Sequence, residues 1–346
     1  MSMTSPGRIT LKDIAERCGY TANTVSRALR DDEKLPQSTR AAIQRLAQEM
    51  GYVPNSSARA LRYGSSRTIA VIINDIKNPY YSNMLSQIDH LLKAKNYHPM
   101  ILCSQLDEDL ASEMIQLAIS QHVDGILFFP FNNAQHVLDL HASGIPFVLM
   151  DRWISDVEAD ISRIDDYAAG YTMARHLIAQ GHRRFLYMAG PFVNSSQMDR
   201  QNGITEALRA AGLDLDTHLR VLSWDSLSDS PAPADVYKLL EPLDYTAIMA
   251  YNDVLAYHAI TALYSMGIIV PDSISVVGID HIRWHNTYLP PLTSITVDGQ
   301  SVAEAAIDLL FSRIDQPELP FRHHVLPIRL HQDGTTAAPA SGANQR

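Results

Sequence analysis

Two sets of side chains in this chain of 346 residues have types and spacings suited to recognition chemistry. The first is Asn23 and Arg27, one helical turn apart, with Thr21, Ala22 and Ser26 beside them. An amide matches the major-groove edge of adenine and a guanidinium that of guanine, each through two hydrogen bonds, so this set suits the reading of duplex DNA. The second set is dispersed. Asn74, Asp75, Ser104, Asp151, Arg152, Trp224, Asn252, Asp253, Asp280 and His281 each stand at the end of a short apolar run. Carboxylates and amides hold hydroxyl groups and an indole covers the apolar face of a ring, which points to a sugar. The extra cationic groups Arg152, Arg283, His281 and His285 would instead suit a sugar acid or a sugar phosphate.

Signatures of bond-making chemistry are missing. No two glycines stand two apart, which removes the dinucleotide fingerprint, and GxxxxGK[ST], HExxH and GxSxG do not occur. His281 and His285 are four apart, but Pro290-Pro291 close by argues against the helix that a metal pair would need. Cys18 and Cys103 are too few for a disulfide framework or a zinc site and are expected to be ordinary buried thiols. No cofactor is expected. Cleft carboxylates performing acid–base catalysis on a sugar remain the least favoured alternative.

The first set must be carried by a short helix. Thr10, followed by Leu11, Asp13, Ile14 and Ala15, marks a helix start, and Cys18-Gly19 marks its end. Thr21 then caps a second helix whose inward face is Val25, Ala28 and Leu29, leaving Ala22, Asn23, Ser26 and Arg27 outward. A third helix runs from Gln37 to Met50 with Gly51 as its stop. Two helices joined by a tight glycine turn and completed by a third form the helix-turn-helix plan, whose second helix enters the major groove.

Charge follows the same division. The formal net charge is −10, yet residues 1–65 hold ten Lys/Arg against six Asp/Glu, a net of +4, and the rest of the chain carries −14. A basic head on an acidic body fits a chain that grips phosphate at one end only.

From Arg67 onward, short β-branched runs alternate with amphipathic stretches. Strands are expected near 68–74, 99–104, 125–130, 146–151 and 162–165 in one lobe, and near 185–190, 220–224, 247–252 and 275–280 in another. Such alternation implies doubly wound parallel sheets, which bind ligands at the carboxyl ends of their strands. The second set of residues falls there. No apolar run reaches the roughly 18–20 residues of a membrane span, and Met1 to Arg8 lacks the apolar stretch of a secretory signal, so no membrane partner and a cytoplasmic location are expected.

Specific runs then resemble a known family. Ile9-Thr10-Leu11-Lys12-Asp13-Ile14-Ala15, Thr24-Val25-Ser26-Arg27-Ala28-Leu29, Gly51-Tyr52-Val53-Pro54-Asn55 and Ala58-Arg59-Ala60-Leu61 look like the head of LacI/GalR regulators. Pro36 departs from the serine common at its position, though proline is tolerated in a first turn. Asn78-Pro79-Tyr80-Tyr81, Asp124-Gly125-Ile126, Asp151-Arg152, Arg200 with Gly203, Asn252-Asp253, residues 275–280 and residues 290–295 look like landmarks of that family's effector domain.

The resemblance implies a helix-turn-helix at residues 8–53, a hinge helix at 54–64 ordered on DNA, and an effector-binding and dimerisation domain of periplasmic-binding-protein type at 67–336. Its first lobe would be 67–165 with 298–322, its second 166–296 with 323–334, and 335–346 a disordered tail. Asn55, Ala58 and Leu61 would contact DNA, with Leu61 as a minor-groove wedge. The nine residues Asn55 to Tyr63 are too few for a stable helix in water, which agrees with ordering on binding. Tyr80, Tyr81, Asp151, Arg200, Trp224, Asn252 and Asp280 would line the cleft. Expected partners are operator DNA, a second copy of the chain and a small-molecule effector, with repression the expected outcome and activation the alternative. The effector is read as a sugar, with a sugar acid, sugar phosphate or nucleobase as alternatives. A solute-binding transport protein would share the body but has no use for the head.

Overall fold

The computed structural model describes residues 9–52, 65–190, 194–224, 231–282, 290–296 and 298–340. The chain separates into two compact units, Met1–Ser66 and Arg67–Arg346. The hinge, with Asn55, Ala58 and Leu61, lies outside the described residues, as do Arg283 and His285.

The first unit holds α1 (Leu11–Cys18), α2 (Ala22–Ala28) and α3 (Gln37–Glu49). Thr10 and Asp13 form a reciprocal cap at the start of α1, the Thr10 N–H donating to Asp13 Oδ2 at 2.7 Å. Gly19 ends α1 at φ 73°, a left-handed conformation that favours glycine. Thr21 Oγ1 accepts from the Thr24 N–H to start α2. Pro36 precedes α3 and provides no side-chain cap. Ile14, Val25, Ala28 and Ile43, one or two from each helix, are wholly buried where the three meet. That wedge fixes which face of α2 turns outward.

In the second unit the chain order is β1 (Thr68–Ile73), α4 (Pro79–Ala94), β2 (His98–Cys103), α5 (Glu108–Ser120), β3 (Gly125–Phe128), α6 (Ala134–Ser143), β4 (Phe147–Met150) and β5 (Asp160–Ile164). It then builds a second lobe from α7 (Asp166–Ala179), β6 (Phe185–Ala189), α8 (Ser195–Ala210), α9 (Leu215–His218), β7 (Leu219–Ser223), α10 (Pro233–Leu240), β8 (Ala247–Ala250), α11 (Asp253–Ser265), β9 (Ser275–Ile279) and β10 (Thr293–Thr296). It ends with α12 (Gly299–Asp315), β11 (His323–Leu326) and β12 (Arg329–His331).

Each lobe is one six-stranded sheet, ordered β11-β5-β4-β3-β1-β2 in the first and β12-β10-β9-β8-β6-β7 in the second. All pairings are parallel except β10 with β12. Helices cover both faces, so strands are apolar on both sides. In β1, Ile69, Val71 and Ile73 join one core cluster while Ala70 and Ile72 join the cluster on the opposite face. The order reverses around β1 in the first lobe and around β6 in the second, creating crevices at the strands' carboxyl ends.

Two boundaries need correction. Residues 323–326 belong to the first lobe, because β11 pairs in parallel with β5 along His323↔Ile161 to Leu326↔Ile164. The return to the second lobe therefore falls between β11 and β12. Residues 335–340 are also no free tail. Thr335 Oγ1 donates to Val276 O at 2.7 Å, Ala337 N donates to Ser275 Oγ at 3.1 Å, and Thr335 is wholly buried. Small polar residues look disordered by composition, but here they pair with the strand β9. Residues 341–346 lie outside the described residues. Cys18 and Cys103 are free and only half-buried.

Candidate functional site

On the first unit, Thr21, Ala22 and Asn23 are exposed at the start of α2, and Ser26 and Arg27 are half-exposed one turn later. Val25 and Ala28 point into the core between them. The five residues thus share the outward face that the burial of Val25 and Ala28 dictates. Arg27 is tethered, its Nε donating to Asp32 Oδ2 at 2.8 Å.

On the second unit, the carboxyl ends of the strands bring Asn74, Asp151, Arg152, Asp253 and Asp280 of the dispersed set together. Tyr80 and Tyr81 sit in the first turn of α4, which Asn78 caps and Pro79 opens. Asp151 and Arg152 follow β4, Arg200 lies on α8, and Asp280 follows β9. The Tyr80 hydroxyl donates to Asp151 Oδ1 at 2.7 Å. Asp151 (φ 66°) and Asp280 (φ 111°) are left-handed non-glycine residues, a costly backbone state that collects at functional sites.

Both arginines are already engaged by the protein. Arg200, 7% exposed, donates through Nε to Asp166 Oδ1 at 2.7 Å and through Nη1 to the Tyr251 carbonyl, and its guanidinium lies 4.5 Å from the centre of the Tyr251 ring. Arg152 Nη1 donates to Pro130 O at 2.8 Å. In the amide orientation that satisfies its neighbours, Asn74 donates to Phe129 O at 2.6 Å and accepts from Arg152 Nη1 at 2.8 Å. Burial opposes the charge on each guanidinium, but Asp166 beside Arg200, and Tyr251, Tyr81 and Asp151 beside Arg152, outweigh it.

Carboxyl groups outnumber these cations. Burial pushes Asp151 up to about 6, against the Tyr80 hydrogen bond and the nearby Arg152. Burial likewise pushes Asp280 up to about 7, with Arg200 opposing and Asp151 and Asp166 adding to the rise. Asp253 is also held well above the usual carboxylate range, first by burial and then by the Asp280 charge. Its oxygens accept from Ser294 Oγ and the Ile282 N–H, each at 2.7 Å. Asp151, Asp253 and Asp280 therefore resist ionising together.

The two lobes meet at this cluster. Ser196 Oγ donates to Asp151 O at 3.2 Å, the Trp153 N–H donates to Ser195 Oγ at 3.0 Å, and Trp153 Nε1 donates to Asp199 Oδ2 at 3.1 Å. Arg163 Nη1 reaches the same Asp199 carboxylate at 3.5 Å.

The remaining expected residues have other attachments. Asn252 spends its side-chain oxygen capping α11 through the Leu255 N–H. Trp224, 9% exposed, packs against His258 in a core cluster, ring centres 5.4 Å apart. Tyr81 is buried edge-on to Phe129 at 5.1 Å, which makes it both wall and core. Sequence reasoning passed over Asp166, Tyr251, Trp153 and Gln197. Asp166 looks like an ordinary acid in a helix first turn, and nothing local shows that α7 packs against α8. Gln197 is buried with its Oε1 unpartnered, close to Gly190 and the Tyr251 ring.

An all-α helix-turn-helix unit followed by a two-lobed, ligand-binding type of body defines a DNA-binding transcription regulator. Residues 10–55 match the model for bacterial regulatory proteins of the lacI family, and residues 174–336 match a periplasmic binding protein-like domain. The chain belongs to the lacI family of transcription regulators. It is 30% identical over 292 residues to the HTH-type transcriptional regulator DegA of Bacillus subtilis, covering 83% of this chain and 86% of that one. It is 27% identical over 314 residues to the HTH-type transcriptional repressor PurR of Pasteurella multocida, covering 89% and 92%. Among solved structures, a transcriptional regulator CelR–cellobiose complex aligns at a TM-score of 0.67 and 26% identity, covering 95% of this chain and all of that one. The lac repressor dimer bound to operator and the anti-inducer ONPF aligns at 0.81 and 23% identity over 96% of this chain and 100% of its own, a likeness of fold. No helix among the described residues is long and apolar enough to cross a membrane.

Proposed function

We propose that the chain is a cytoplasmic, homodimeric transcriptional repressor whose hold on operator DNA is set by a neutral sugar bound between the two lobes. Asn23 and Arg27 read base edges from α2, with Thr21, Ala22 and Ser26 beside them. The hinge residues Asn55, Ala58 and Leu61 complete the DNA contact. Tyr80, Tyr81, Asp151, Arg152, Arg200, Trp224, Asn252 and Asp280 form the effector site. Binding stabilises one relative arrangement of the lobes, and the hinge transmits it. A two-fold dimer matches a near-palindromic operator.

The effector class rests on one observation: Asp151, Asp166, Asp253 and Asp280 surround two arginines, each of which already donates hydrogen bonds to protein groups. A carboxylate or phosphate would enter beside carboxyl groups that already resist negative charge, whereas sugar hydroxyls donate to Asp151 and Asp280 and gain from the low dielectric. A relative solved with cellobiose supports a sugar. A nucleobase is the second reading, favoured by the aromatic side chains Tyr80, Tyr81 and Trp224, against which a planar ring can stack.

A thermal-melting screen of neutral sugars, sugar acids, sugar phosphates and nucleobases tests the assignment. A neutral sugar at a hundred times its Kd adds about 2.7 kcal/mol and raises Tm by roughly 5–10 °C. A response to sugar acids or phosphates alone overturns the neutral class, and a response to nucleobases alone selects the second reading.

A further inference from the structure

The acidic run Asp31-Asp32-Glu33 follows directly after the DNA-reading helix, where negative charge repels phosphate. Two of these carboxylates are spoken for. Asp31 Oδ1 lies 3.4 Å from Arg40 Nη1. Asp32 is fixed by the backbone of its own turn, its Oδ1 accepting from the Lys34 N–H at 3.0 Å and its N–H donating to Arg27 O at 3.2 Å. Its other oxygen, Oδ2, accepts from Arg27 Nε at 2.8 Å. The Arg27 hydrogen bond, followed by that from Lys34 N–H, holds the Asp32 carboxyl below its ordinary range, so the group is ionised at neutral pH.

The atom that Asp32 takes is informative. A bidentate contact to guanine O6 and N7 needs two neighbouring N–H groups of one guanidinium. With Nε committed, Nη1 and Nη2 are the pair that remains, and neither makes a hydrogen bond to a described residue. Each helix side chain fixed before DNA arrives loses less rotamer freedom on binding.

We propose that Asp32 is a positioning residue for base recognition, holding Arg27 by Nε so that Nη1 and Nη2 form the fork that meets guanine. The proposal rests on the reading of Arg27 as a base-contacting residue. Asp32 thereby gives up some general affinity for DNA, through its charge, in exchange for discrimination between bases. A residue acting as a brake would do the opposite, and its removal would tighten operator binding.

The test uses the full chain and the duplex it selects from a randomised pool. Binding is titrated on that duplex, on versions with each guanine replaced, and on an unrelated duplex at one salt concentration. Arg27→Ala identifies the guanine position by flattening the preference there. Asp32→Ala is expected to reduce the preference for guanine at the same position by roughly five- to tenfold. Affinity for the unrelated duplex stays level or rises, which also shows that the head remains folded. Asp32→Asn keeps an acceptor for the Lys34 N–H and falls between Asp32→Ala and the parent. In the Arg27→Ala background, Asp32→Ala changes the base preference no further. The proposal is overturned if Arg27→Ala flattens a guanine position while both Asp32 variants keep the parent preference, or if Asp32→Ala tightens operator binding with the preference unchanged. If Arg27→Ala flattens no guanine position, the reading of Arg27 itself fails and the role of Asp32 falls with it.

Discussion

Asp151 and Asp280 are carboxyl groups whose charge the fold discourages and whose geometry invites a hydroxyl. Their values of about 6 and about 7 stand above the ~3.9 of an unfolded aspartate. Between those limits the folded chain binds more protons than the unfolded one. The stability they contribute is therefore complete below pH ~4 and is lost as pH rises through 6 to 7. A sugar donating hydrogen bonds to the ionised forms pulls both values down. Effector affinity should thus rise as pH increases through that interval, with protons released on binding near pH 6 and none near pH 8. Calorimetry in two buffers of different ionisation heat measures the released protons. Proton uptake near pH 6 would exclude donation to these carboxylates.

Positioning of these side chains depends on how tightly α7 and α8 pack. A Cβ on Gly170 would run into the Arg200 carbonyl oxygen, and one on Gly203 into the Tyr167 carbonyl oxygen. Neither glycine has positive φ, so close approach alone requires them. The contact brings Asp166 on α7 within hydrogen-bonding distance of Arg200 on α8. Gly203→Ala should cost about 3 kcal/mol or more through overpacking. Tm should then fall by roughly 6–12 °C, with effector affinity falling alongside. A variant that melts like the parent would show that the helices separate freely. Helices α6 (134–143), α10 (233–240) and α12 (299–315) also pack in the body. Of these, α12 carries Val302, Ala306 and Leu310 into the core of the first lobe, although it follows the second lobe in sequence.

The body is assembled by a chain that changes lobes three times, after β5, after β10 and after β11. Residues 335–340 then secure the second lobe from outside its sheet order. Thr335 accepts from the Thr293 N–H at 2.9 Å, and His182 Nε2 pairs with Ala337 O at 2.9 Å. Deleting residues 335–346 strips several buried hydrogen bonds and should remove about 3 kcal/mol or more. The melting temperature should drop by roughly 6–12 °C, while deleting 341–346 alone serves as the control. Equal melting of both truncations would mean that the strap adds nothing.

The chain's sequence alone determined the helix-turn-helix plan, because capping residues, Gly19 and the Val25/Ala28 spacing are local signals that fix which face of α2 looks outward. Hydrophobic alternation likewise determined the doubly wound lobes and placed Asn74, Asp151, Arg152, Asn252 and Asp280 at strand ends. Only the tertiary structure decided what those residues have left to offer a ligand. Arg152 looks in sequence like an anion binder, but Asn74 and Pro130 arrive from distant segments to accept from it, as Asp166 and Tyr251 accept from Arg200. The tail and β11 escaped for the same reason. Their partners, β9 and β5, lie well over fifty residues earlier in the chain, and no local periodicity carries a pairing at that distance.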